Sequence, residues 1–144
     1  MKYGQAVLLE DYADYRPREV ARLSRHLAAG RLVAGPAYVL PDAFLAGEES
    51  LVRNLLAGRR TCRAFGAEPP LVGYAPDTFG HPAQLPQLLR GFGIDSHLFM
   101  RGLGTEGETL GAVFWWYGPD GSRVLATRML GGYGNASSLG HETV

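Results

Sequence analysis

The chain has 144 residues, the size of one ordinary domain, and a fold of this length buries roughly 70% of its unfolded surface. With 46% hydrophobic and 19% charged residues the composition is that of a globular protein, which excludes a disordered tail or linker. Lys plus Arg and Asp plus Glu both total 14, so the formal net charge is zero; this argues against the basic footprint of a nucleic-acid or anionic-membrane binder.

Cys62 is the single cysteine, so neither an internal disulfide nor a cysteine zinc site can form, and a reducing, cytoplasmic setting fits. No apolar run reaches the ~18–20 residues that span a bilayer. Lys2 is followed by a mixed segment without the apolar stretch of a signal peptide.

Arg16-Pro17 opens a helical pattern, with Pro17 suited to a first helical position. Val20, Leu23 and Leu27 share one face of it, and Gly30 stops it. Leu32-Val33-Ala34 reads as a short buried strand that Gly35-Pro36 ends or bends. From Glu48 to Phe65 a second helix carries the stripe Leu51, Val52, Leu55 and Leu56; Gly58 could end or kink it, and Gly66 with Pro69-Pro70 closes it. Leu71 to Tyr74 is a second strand, and Pro76 to His81 is a loop. A third helix covers Ala83 to Arg90, with Leu85, Leu88 and Leu89 apolar and Gly91 and Gly93 as stops. Ser96 to Met100 is a third strand. Ala112–Tyr117 and Ser122–Met129 then form a β-hairpin about the turn Gly118-Pro119-Asp120-Gly121. The tail from Gly131 to Val144 is small and polar and reads as loop.

Strand and helix alternate three times before the hairpin, an order that predicts an α/β fold with mainly parallel strands. Parallel sheets need both faces covered. Three or four such strands make a thin, unclosed sheet with exposed edges, so the sequence is expected to be incomplete.

In α/β folds functional groups gather at the carboxyl ends of the strands. The loop after Leu71–Tyr74 holds Asp77 and His81, four residues apart, with Phe79 and Gly80 between them. A carboxylate there can serve as nucleophile, base or metal ligand, and Phe79 can stack on a ligand. Spacing alone also allows Asp77 to cap the next helix while His81 is merely packed.

The longer string from Gly73 to Ile94, Gly-Tyr-Ala-Pro-Asp-Thr-Phe-Gly-His-Pro-Ala-Gln-Leu-Pro-Gln-Leu-Leu-Arg-Gly-Phe-Gly-Ile, resembles the nucleophile region of glycoside hydrolase family 38, the α-mannosidases, most of all its bacterial branch. Flanking segments are similar in order and spacing. They are Gln5 with Leu8 to Tyr12, Gly30-Arg31-Leu32, Gly35-Pro36, Pro41-Asp42, Glu49 to Leu56, Arg101-Gly102, Trp115-Trp116 and Gly132 to Ala136.

The resemblance implies an N-terminal α/β catalytic domain over residues 1–144, part of an incomplete β/α barrel. It implies retaining hydrolysis of an α-mannoside or mannose-containing oligosaccharide, assisted by zinc. Asp77 matches the family's nucleophile and zinc ligand. Arg101 matches an arginine that orients that carboxylate, as a fixed cation would. Phe79 matches a substrate-binding aromatic. The family's other zinc ligands, a His-x-Asp pair before this segment and a later histidine, have no counterpart in these residues, nor does its acid/base aspartate. Ala37 stands where the family usually has tryptophan, and Met1-Lys2-Tyr3 and Leu139 to Glu142 depart from its pattern. The expectation is a fragment, inactive alone and dependent on flanking segments of the same enzyme, with a homo-oligomer compatible. Two alternatives are a non-catalytic remnant acting through binding and a related metal-dependent carbohydrate deacetylase.

Duller roles are expected elsewhere. Asp42 reads as a turn residue, His81 as a packing or hydrogen-bonding group, and His26 and His97 as ordinary surface or core residues. Cys62 reads as a packed helix residue and the arginines between Arg53 and Arg63 as a solvated helix face. His141 and Glu142 receive no role. Trp115, Trp116 and Tyr117 read as a hairpin with one aromatic face inward rather than as a carbohydrate platform.

Overall fold

The structure, a computed structural model, describes residues 2–132; the expected tail lies, from residue 133 onward, outside the described residues. Twelve elements follow one another among the described residues. Strand β1 (Lys2–Gln5) leads into helix α1 (Val7–Tyr15), a 3-10 turn at Pro17–Glu19 and α2 (Val20–Ala28). Then come β2 (Val33–Ala37), α3 (Glu48–Ala64), β3 (Val72–Ala75), α4 (Leu85–Gly91) and β4 (Ser96–Phe99). A second 3-10 turn (Thr105–Glu108) precedes β5 (Val113–Tyr117) and β6 (Arg123–Arg128).

The expected α/β class with parallel strands is what the chain adopts, and the strands among the described residues do not close into a barrel. β1 and β2 pair in parallel; β3, β4, β6 and β5 form a second sheet in that order. β3, β4 and β6 run parallel, and β5 returns antiparallel beside β6. The hairpin therefore belongs to the main sheet: its second strand extends the parallel ladder and its first forms the rim. β2 lies next to β3, which brings the two sheets side by side.

Several local expectations change. β1 and α1 carry no clean periodicity, and four residues including a glycine give little strand signal; pairing with β2 creates β1. Gly35-Pro36 does not end β2, which runs on to Ala37. The ladder pairs Tyr3 with Ala34 and then Gln5 with Ala37, so an irregularity absorbs the proline, which has no N–H to offer. Pro17 opens the 3-10 turn rather than α2, and α2 ends where Gly30 takes φ +67°, as a C-terminal stop requires.

Gly58 neither ends nor kinks α3. It is buried because the helix lies directly on β2: a Cβ at this position would collide with the backbone of Pro36, Ala37 and Tyr38. Farther up the helix, Asn54 grips the chain leaving β2. Its side chain accepts from Val39 N and donates to Val39 O, both at 2.9 Å. Glu10 on α1 completes the joint, accepting from Tyr38 Oη and Thr61 Oγ1, each at 2.7 Å. Cys62 is fully buried in the core with Ala6, Leu9, Leu27 and Ala34, and its Sγ donates to Ala34 O at 3.3 Å, the packed role expected of it. Burial pushes its thiol pKa up.

α4 covers the other end of the same layer through Leu89, with Ile94, Val124 and Trp116. On β5, Phe114 and Trp116 turn half-buried toward the helices while Val113, Trp115 and Tyr117 face outward. Arg123 lies over the outer face of Trp115, its guanidinium carbon 4.4 Å from the ring centre. Of the α3 arginines, Arg59 is not simply solvated: it donates to Phe92 O at 3.1 Å and fastens α3 to the end of α4.

Gly58→Ala should lower stability by about 1–3 kcal/mol even though alanine is the better helix former, because the clash is with backbone that cannot rotate away. Urea unfolding of the two proteins measures this; an unchanged or higher midpoint for the variant would mean that α3 does not sit on β2 as described.

Candidate active site

Parallel pairing sets the geometry. Ala75, the last residue of β3, lies opposite Phe99, the last of β4. Asp77 and Arg101 each come two residues beyond that pair, at the carboxyl rim of the sheet. Their side chains meet there, with Arg101 Nε 2.8 Å from Asp77 Oδ1. Asp77 stays 49% exposed and Arg101 46%, so one side of the carboxylate remains open to a ligand. Arg101 also lies over Phe79, its guanidinium carbon 5.5 Å from the ring centre, and Phe79 is 68% exposed. The three residues singled out in the sequence are thus brought together. Asp77 does not cap α4, whose N-cap is Gln84 without a side-chain bond.

Two further contacts shape the loop, and neither was legible in the sequence. The ring of Phe44, from the segment between β2 and α3, packs on Gly80 where a Cβ would otherwise stand. Gly102, at φ +97°, presses the Arg101–Gly102 turn against the loop. A Cβ there would lie 2.8 Å from Thr78 O and 2.9 Å from both Gly80 N and His81 Nε2.

His81 points inward. Its Nε2 lies 2.9 Å from Arg101 O, and because a carbonyl only accepts, that nitrogen carries the hydrogen. Its ring meets His97, Phe99 and Trp116 edge to face at 5.6, 5.0 and 5.2 Å between centres. Burial lowers its pKa, partly offset by the bond to the Arg101 carbonyl and by the nearby charge of Asp42. Asp42 has the expected turn role: its carbonyl accepts from Leu45 N and Ala46 N at 3.0 and 3.2 Å. Its neighbourhood with His81 is a tertiary fact. His97 is a core residue, stacked on Phe99 and filling the space above Gly73.

Beneath the loop a cavity of about 70 Å³ runs between Thr78, His81, His97 and Leu89. That is far below the ~300–1,000 Å³ of a ligand pocket, so the space beneath the loop is not itself one. Among the described residues no group of three or more His, Cys, Asp or Glu side chains could hold a metal ion. Asp77 offers a single carboxylate, so these residues do not by themselves fit a zinc site, which needs about four ligands. No helix among the described residues is long and apolar enough to cross a membrane.

An open α/β sheet with a paired carboxylate at its strand ends defines a broad class of enzymes and their relatives, and comparison with known proteins narrows it. The chain belongs to the glycosyl hydrolases family 38 N-terminal domain, which it matches over residues 3–142. A candidate mannosylglycerate hydrolase of Halalkalibacterium halodurans is 39% identical over 146 residues, covering 94% of this chain and 16% of its own. Alpha-mannosidase 2C1 of mouse is 34% identical over 132 residues, covering 85% of this chain and 12% of its own. The crystal structure of an alpha-mannosidase from Enterococcus faecalis superposes with a TM-score of 0.82 at 34% identity, over 90% of this chain and 15% of that one. The chain spans about one-sixth or less of the length of these relatives.

The lowered pKa of His81 makes a pH prediction. From the ordinary value of 6.5 downward, the unfolded chain takes up a proton that the folded chain resists, so stability falls as pH drops below about 6.5 and until the folded group titrates. Urea midpoints at pH 7.5 and pH 5 should therefore diverge more in the wild type than in His81→Gln. Equal losses in the two proteins would show that this imidazole is not held neutral by burial.

Proposed function

We propose that the chain acts as part of the catalytic domain of a longer α-mannosidase, which hydrolyses α-mannosides with retention of configuration through a covalent intermediate on Asp77. The observation that carries this is the Arg101–Asp77 pair at the carboxyl rim of β3 in a member of family 38. Arg101 holds one oxygen and leaves the carboxylate half exposed, so the other face is open to the anomeric carbon of a bound sugar. The exposed ring of Phe79 offers an apolar face to the C–H groups of that sugar.

The reaction uses two carboxyl groups about 5–5.5 Å apart. Asp77 forms a C–O bond to the anomeric carbon as the glycosidic bond breaks, and a second carboxyl group donates its proton to the departing oxygen. Water then displaces Asp77 while the second group, now ionised, takes the proton back. That second group would come from outside the described residues. So would most zinc ligands, with Asp77 contributing one; when bound, the metal would supply a Lewis acid for the sugar hydroxyls. A cytoplasmic setting fits the lone reduced thiol of Cys62. Family membership favours glycoside hydrolysis over the deacetylase alternative.

Asp77→Ala in the full-length enzyme should reduce hydrolysis of an aryl α-mannoside by about 10⁴-fold or more. Substantial turnover in that variant would remove Asp77 from the nucleophile role. The first-formed sugar should be the α-anomer by NMR, and initial β-anomer would replace retention by inversion. The 144-residue chain alone should show no metal-dependent turnover.

A further inference from the structure

We propose that His81 is a positioning residue of the site, fixing the Arg101–Gly102 turn through its Nε2–H bond so that the guanidinium meets Asp77 and covers Phe79. The functional consequence rests on Asp77 being the reacting carboxylate; the positioning itself does not. The polar contact His81 makes in this loop is with the Arg101 carbonyl, at 2.9 Å. Its influence on Asp77 passes through Arg101.

Three observations converge. First, the donor is rigid, because rings from two strands hold the imidazole: His97 and Phe99 of β4 and Trp116 of β5. Second, the acceptor has no slack, because the turn already touches Thr78, Gly80 and His81 at Gly102, whose φ of +97° a side chain would strain. Third, the ion pair cannot position Arg101 unaided. With both partners about half exposed, such a pair is weak, and arginine has many rotamers to choose from. A fixed backbone carbonyl removes the backbone part of that freedom. His81 thus links the inner core of the sheet to the charge at its rim.

The test reads the Arg101 Nε–H directly. In a ¹H–¹⁵N correlation spectrum of the isotope-labelled chain this signal, assigned by its loss in Arg101→Lys, should exchange slowly with water. His81→Phe keeps an aromatic ring and removes the donor; it should speed that exchange about tenfold. His81→Gln, whose amide can donate at similar reach, should restore most of the protection. Slow exchange persisting in a folded His81→Phe protein would overturn the proposal. Should that variant not fold, Gly102→Ala displaces the same turn, and undiminished protection there would overturn it equally.

Kinetics in the full-length enzyme supply the second arm. His81→Phe should lower kcat about tenfold with little change in KM, and should add no further loss in an Arg101→Ala background. Losses that multiply independently would show a merely structural histidine. Activity surviving Asp77→Ala would defeat the proposed function yet leave the exchange result standing, so the two ideas fail separately.

Discussion

The register between β3 and β4 is the constraint on which the site depends. Ala75 opposite Phe99 places Asp77 opposite Arg101, because both chains leave the sheet at the same level. Strand residues rise about 3.3 Å each, so a slip of two would separate acid and base by more than an ion pair can span. A slip of one would instead turn His97 and Phe99 away from the helices and Ser96 and Leu98 toward them. His97 fills the space left by Gly73, and that fit excludes the slip. Core packing and the site's charge geometry are therefore the same fact seen from two sides of one ladder.

The helices show how a local preference can yield to packing. Gly58 is a poor choice for the interior of a 17-residue helix, yet the backbone of β2 occupies the place its side chain would take. Close seating of α3 then lets Asn54 grip Val39 and Glu10 gather Tyr38 and Thr61. These bonds hold the start of the segment that later presents Phe44 to Gly80. The rim loop is thus braced from β2 on one side and from β4 on the other.

Much of the fold was legible because α2, α3 and α4 repeat apolar residues at helical spacing and end on glycines. β1 and α1 were not, since their pairing with β2 and packing on the core create them. Nor could the chain order reveal that β6 would join β4 in parallel, because a hairpin turn specifies only its own two strands. At the site, Asp77, Phe79 and His81 were visible as a loop with chemistry, whereas Arg101 and the match of Phe79 to a substrate-binding aromatic came from family resemblance. The bond from His81 to Arg101 and the contacts at Gly80 and Gly102 join residues about 20 to 36 positions apart. No local pattern encodes such distances; each of these two glycines proves to be a contact surface.

The outer side of the hairpin has a practical consequence. β5 forms the rim of the sheet among the described residues, and its outward side chains Val113, Trp115 and Tyr117 are large and exposed. No lysine or proline interrupts the strand, and Arg123 on the neighbouring strand is already occupied by Trp115 and Tyr117. Natural edges usually carry such interruptions to keep strands of different molecules from zipping together. Handled on its own at high concentration, the chain would offer this strand, the rim among the described residues, as a template for self-association.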